Sequence, residues 1–165
     1  MVDVYVAAGS NVQPERYLPQ ALHELKAQYA PLRVSPAYRN RAVGFEGPDF
    51  INLVVGFSTE ESLDRVRARL QDIEARCDRP SSAAKWASRT IDLDILLYGD
   101  LVCADPGTIV PRPDLARHAY MLKPMTDLAP DVVHPTLHRT MRELWEDFDR
   151  RAHELIRVDG WQIGT

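Results

Sequence analysis

The chain has 165 residues, 45% hydrophobic and 27% charged, with a net charge of −4 and a pI near 5.7. That length fits one domain of about 100–200 residues, so residues 1–165 read as a single domain. The apolar content excludes a disordered chain. The acidic balance argues against a general nucleic-acid binder, whose footprint is basic, and leaves room for small anionic ligands held by a local arginine cluster. Cys77 and Cys103 are far apart and form no CxxC, so they read as reduced thiols rather than a disulfide or a metal pair. No apolar run reaches the roughly 18 residues that span a bilayer, and MVDVYVAAGSN lacks the basic start of a signal peptide. The expected location is the cytoplasm, with no membrane and no nucleic acid among the partners.

Val2, Val4, Val6 and Ala8 alternate with Asp3, Tyr5 and Ala7, which predicts a strand ending at Gly9-Ser10-Asn11. Pro14 suits the first turn of a helix, and Leu18, Ala21, Leu22, Leu25 and Tyr29 follow at helical spacing. Residues 32–39 read as an irregular edge strand, because Pro36 lacks an N–H. Residues 40–49 form a loop and 50–58 a second strong strand. From Glu60 to about Arg76 the pattern is helical, with Leu63, Val66, Leu70, Ile73 and Cys77 on one face and Thr59 as the expected N-cap. Residues 78–90 make a second long loop, and TIDLDILLYG another strand. Beyond Gly99, prolines break the pattern; a short helix is expected over about 113–121. A final helix is expected from about Met141 to Leu155, with Leu144, Phe148 and Ala152 facing inward. The order βαββαβ predicts a ferredoxin-like α+β fold, an antiparallel sheet with helices on one face, followed by a C-terminal helical appendix. Two loops of this length in a compact domain point to lids or binding loops.

Asp92-Leu93-Asp94 is the sharpest chemical feature. In a strand, residues i and i+2 share a face, so both carboxylates project together while Ile91, Leu93 and Ile95 turn to the other side. A bound cation would relieve their repulsion, and hard oxygen ligands suit Mg²⁺; a solvated polar strand face fits the same pattern. Arg79, Lys85, Trp86, Arg89 and Thr90 precede the pair closely. Arginine offers a fork to phosphate oxygens and Trp86 a stacking face; alternatively Trp86 anchors its loop. Gly9-Ser10-Asn11 fits a tight turn, and the chain has no Walker A sequence. Asn52, in an apolar strand, either reads a heterocycle or is satisfied by neighbouring backbone. His134 and His138 have a metal-like spacing, but Pro135 between them argues against that role. Tyr38, Phe45, Phe50 and Tyr120 are core aromatics or walls for a planar ligand.

RTIDLDILLYG at 89–99, KW at 85–86, GSN at 9–11, FIN at 50–52 and the VP…D…YML…P…LAP series across 110–130 together resemble the 6-hydroxymethyl-7,8-dihydropterin pyrophosphokinase family. The likeness runs from about residue 2 to 150. It implies transfer of pyrophosphate from ATP to the pterin hydroxymethyl group, giving AMP, in folate synthesis. It implies two Mg²⁺ ions on Asp92 and Asp94, with Arg79 and Arg89 binding or guiding the phosphates as catalytic residues. The pterin would lie against Tyr120, Phe50 and Trp86, bonded by Asn52 and by backbone around Asn40–Val43. Gln71, Glu74, Lys85, Ile95, Arg112 and Arg117 would serve ATP, with Arg79 and Arg89. Loops 40–49 and 78–90 would close over the substrates. The family is often monomeric. Several of its usual residues are changed here: Arg112-Pro113 stands where the family usually has a histidine followed by proline or tyrosine, His118 replaces an arginine, Ser81 and Ser82 a lysine and an arginine, Gly107 a basic residue and Ile109 a threonine. These changes leave open a paralogue acting on a modified pterin, or a non-catalytic binding module.

Overall fold

A computed structural model describes residues 1–42, 47–78, 90–105, 107–151 and 154–158. Strand β1 (Val2–Ser10) lies between β4 (Phe50–Thr59) and β5 (Asp92–Tyr98) and is antiparallel to both. Strand β2 (Arg33–Val34) and strand β3 (Tyr38–Asn40) both pair with β4. The sheet order is β5-β1-β4-β3-β6, with β6 (Ile156–Arg157) on the outer edge of β3. Helices α1 (Pro14–Tyr29) and α2 (Leu63–Arg76) supply the crossovers of the expected ferredoxin-like order.

The alternation of the strands sorts their side chains into two cores. On one face Val4, Val6 and Ala8 of β1, Leu53 and Phe57 of β4, and Leu93 and Ile95 of β5 pack beneath Leu18 and Leu25 of α1 and Val66 and Ile73 of α2. On the other face Tyr5, Ala7, Val54 and Leu96 meet Met121, Leu122 and Met125 of α3 (Ala119–Leu128) and Met141 of α4 (Met141–Glu146). Each fully buried aliphatic side chain contributes about 1.5–3 kcal/mol through removal from water. The C-terminal segment is therefore the lid of a second core, and the sheet is covered on both faces rather than one.

Four local expectations need correction. The edge segment splits in two at Pro36; Ser35 keeps the ladder between the pieces, its N–H donating to Val54 O and its Oγ accepting from Val54 N. The N-cap of α2 is Ser62, whose side chain accepts from Arg65 N, whereas Thr59 ends β4 and its Oγ1 accepts from Glu61 N. The helix expected over 113–121 is a short 3-10 turn (Pro113–Ala116) followed by α3, which runs through Pro124 to Leu128. Pro124 forgoes one helical hydrogen bond, and burial of Met121, Leu122 and Met125 compensates. The last helix spans only six residues, fixed at its start by a Thr140–Glu143 capping box and ending at Glu146. Downstream, Ile156–Arg157 instead pairs with Tyr38–Arg39, closing the exposed edge of β3. Residues 43–46, most of loop 78–90 and Ala152 lie outside the described residues.

Candidate active site

Register builds the site. Gly9 is paired with Asn52 on one side and with Asp92 on the other, Asn52 with Tyr38, and Phe50 with Asn40. Paired residues point to the same face, and alternate residues along each strand do too. Asp92, Asp94, Gly9, Asn52, Phe50 and Asn40 therefore share one face. It is the face of the second core, at the end where Ala7 and Val54 give way to polar side chains. Asp94 stands opposite Ala7, while Ile91, Leu93 and Ile95 enter the first core as expected.

Asn52 and Asn40 are both buried, and Asn52 Nδ2 donates to Asn40 Oδ1 at 2.5 Å. Asn40 Nδ2 in turn donates to Arg41 O at 2.9 Å. The partner of Asn52 is thus another carboxamide, not the backbone alone. Gly9 makes this arrangement fit: a Cβ there would lie 2.3 Å from Asn52 Oδ1. The Gly-Ser-Asn sequence does more than turn the chain. Asn11, also buried, donates through Nδ2 to Pro48 O at 3.1 Å and ties the β1–α1 turn to the segment entering β4.

Tyr120, at the start of α3, forms a wall. Its hydroxyl is pushed up to about 12, first by burial and then by the carboxylates of Asp114, Asp94 and Asp92, with Arg112 opposing. It stays protonated at neutral pH and stands close enough to feel the carboxylate pair. His118 stacks on it, with centroids 5.0 Å apart and planes 20° from parallel. Helix α3 is held over this face by Asp127, which accepts a hydrogen bond from Tyr38 on β3 and pairs with Lys123 at 3.0 Å.

A cavity of about 240 Å³ adjoins the carboxylates along the outer edge of β5. Gln71, Glu74 and Arg67 line it from α2, Asp94 and Ile95 from β5, and Gly107, Thr108 and Arg112 from the segment after it. Glu74 accepts the N–H of Leu93 at 2.8 Å, so it also fixes the edge of β5 beneath the acids. Arg112 has Nη1 3.6 Å from Asp94 Oδ1 and Nε 3.5 Å from Asp114 Oδ2. Among the described residues, the buried side-chain polar atoms without a hydrogen-bond partner are Thr90 Oγ1 and Arg112 Nε. Both belong to segments that flank the carboxylate pair.

The structure thus gathers Asn40, Phe50, Asn52, Asp92, Asp94 and Tyr120 into one region, and Gln71, Glu74, Ile95 and Arg112 into the adjoining cavity. Arg117 is exposed beyond the 3-10 turn and does not line that cavity. Val43, Arg79, Lys85, Trp86 and Arg89 lie outside the described residues. Sequence reasoning missed Arg67. Its Nη1 donates to Thr108 Oγ1 at 3.2 Å, and it packs over Gly107, where a Cβ would come within 3.0 Å of Nη1. The signal available was an arginine one turn before Gln71 on the same helix. Gly9 and His118 were likewise underweighted.

No three-residue cluster of His, Cys, Asp and Glu is present among the described residues. The donor set at Asp92 and Asp94 nevertheless fits Mg²⁺, which takes one or two protein carboxylates and completes its shell with water and substrate phosphates. The buried ring of His134 accepts Thr136 N and Leu137 N at Nδ1 and shapes a turn. Cys77 and Cys103 are both free thiols, the second only half-buried.

An antiparallel ferredoxin-like sheet thus sets paired carboxylates beside Arg112 and a cavity, an arrangement with room and charge for a cation and phosphate groups. The sequence profile of the 7,8-dihydro-6-hydroxymethylpterin-pyrophosphokinase family matches residues 5–130, and the chain belongs to that family. It is 37% identical over 137 residues to the 2-amino-4-hydroxy-6-hydroxymethyldihydropteridine pyrophosphokinase of Pseudomonas aeruginosa, covering 80% of this chain and 83% of that one. To the enzyme of that name from Aquifex aeolicus it is 30% identical over 145 residues, covering 87% and 90%. The fold is similar to that of Plasmodium falciparum HPPK-DHPS, with a TM-score of 0.70 at 14% identity over 88% of this chain. The match spans only 43% of that longer protein.

Proposed function

We propose that this chain transfers the pyrophosphoryl group of ATP to the hydroxymethyl oxygen of 6-hydroxymethyl-7,8-dihydropterin, a step of folate biosynthesis. The hydroxymethyl oxygen bonds to the β-phosphorus, the bond from that phosphorus to the α,β-bridging oxygen breaks, AMP leaves with that oxygen, and the hydroxyl proton is lost. The observation that carries the reading is the row Asp92–Gly9–Asn52 across three strands, which sets a carboxylate pair beside a carboxamide pair on one face. Family membership supports the reaction, and this row supports seating it at the end of the sheet.

In this reading Asn52 and Asn40 bond the edge of the pterin, while Tyr120 and Phe50 confine its ring. The matched donor and acceptor groups of the carboxamides suit a heterocycle carrying both. Asp92 and Asp94 would hold Mg²⁺, two ions by resemblance, which when bound neutralises phosphate charge. Arg67, Gln71, Ile95 and Arg112 line the nucleotide side. Glu74 acts there chiefly by fixing β5. Arg79, Arg89, Lys85, Trp86, Val43 and Arg117 keep the roles implied by resemblance. We read it as one domain acting on small-molecule substrates, a monomer by resemblance to its family and cytoplasmic as expected of a step in folate synthesis. No helix among the described residues is long and apolar enough to cross a membrane.

Product analysis tests the reaction. Protein incubated with ATP, Mg²⁺ and the pterin alcohol is expected to yield AMP and pterin diphosphate in equal amounts. ADP as the product, or AMP formed equally well without pterin, would overturn it.

A further inference from the structure

The guanidinium of Arg112 stands between two carboxylates, with Nη1 3.6 Å from Asp94 Oδ1 and Nε 3.5 Å from Asp114 Oδ2. Both separations exceed hydrogen-bond length, so these are charge contacts. Its Nε is buried and makes no hydrogen bond. The backbone is anchored, since Arg112 N donates to Leu96 O at 2.9 Å. The side chain lines the cavity with Asp94, and Arg67 faces the same space from α2.

We propose that Arg112 couples divalent-cation binding to nucleotide binding: it occupies the field of Asp94 until a polyphosphate draws its charge away. Without nucleotide, the guanidinium partly neutralises Asp94 and opposes a second positive charge nearby. When phosphate oxygens enter the cavity, they pair with the guanidinium and cancel its charge, and the carboxylates regain their attraction for the metal. The coupling is reciprocal by linkage, so the cation raises nucleotide affinity by the same factor. This rests on the reading that Asp92 and Asp94 hold the metal. The effect is local, because both charges are partly shielded from solvent and lie well inside a Debye length of roughly 8–10 Å.

The test is Mn²⁺ binding followed by the resonance of the free ion, with and without α,β-methylene-ATP, in wild type, Arg112→Gln, Arg112→Lys and Asp94→Asn, each first shown to melt like wild type. Without nucleotide, Arg112→Gln is expected to bind Mn²⁺ about tenfold more tightly than wild type, and its enhancement by the analogue to shrink by a similar factor. Arg112→Lys, which keeps the charge, is expected to track wild type. Equal Mn²⁺ affinity in wild type and Arg112→Gln without nucleotide, alongside loss of binding in Asp94→Asn, would overturn the coupling alone. Undiminished binding in Asp94→Asn would overturn the metal assignment beneath it.

Discussion

The two faces of the same sheet are put to different uses. Beneath α1 and α2 the face is apolar along the strands, from Val4 to Ala8 and from Leu53 to Phe57. Beneath α3 it is apolar only in part: Tyr5, Ala7, Val54 and Leu96 are covered, and the next positions outward are Gly9, Asn52, Asp92 and Asp94. The first face is a scaffold. The second becomes a site where its covering helix stops, so polar side chains are aligned by strands whose register the first core secures. The second core stops short of the polar rim of the sheet.

Substitutions at the rim are expected to have the largest effects. Asp92→Asn and Asp94→Asn each are expected to lower pterin-dependent AMP formation about a thousandfold, roughly 4 kcal/mol, while the thermal midpoint stays near that of wild type. Next come the two cores. Leu53→Ala and Met125→Ala, both at fully buried positions, each are expected to cost about 2–5 kcal/mol in denaturant melts. A cost well below this at Met125 alone would make the α3 layer an appendage rather than a core.

Gly9→Ala tests how the faces meet. Its Cβ would strike Asn52 Oδ1 and displace the Asn52–Asn40 bond. The expected stability loss is about 1–3 kcal/mol, with a rise in the KM for pterin larger than that for ATP. An equal change in both would mean that Asn52 does not read the pterin.

The smallest effect concerns pH. Burial, and then the charge of His138, hold His134 below its ordinary value of 6.5, and its neutral Nδ1 accepts two backbone N–H groups. The unfolded chain takes up the proton more readily than the native one. Stability from this source is thus full above about pH 6.5 and is lost as pH falls through the lower folded value. Denaturant midpoints at about pH 7.5 and about pH 5 should fall less in His134→Asn than in wild type.

The strands and long helices were legible because their side chains repeat with one period. So were Asp92 and Asp94, since i and i+2 on a strand admit one arrangement. What stayed hidden depends on contacts between distant segments. The burden on Gly9 comes from a side chain 43 positions later, seen only in the register. Arg67 reaches the cavity because Gly107 has no side chain. Strand β6 has two residues, too few for any period, and exists because β3 offers an edge. The extension of α3 through Pro124 follows from tertiary packing that a local reading of proline cannot weigh.

The pterin is expected to bind on the α3 side of the sheet, at the rim where Gly9, Asn52 and Asp92 lie in one row. Titrating the pterin alcohol into ¹⁵N-labelled protein tests it most directly. The largest shifts are expected at the Gly9 backbone amide and the Asn40 and Asn52 side-chain amides, with Tyr120 next. Shifts concentrated on α1 and the outer face of α2, with those amides unmoved, would contradict it.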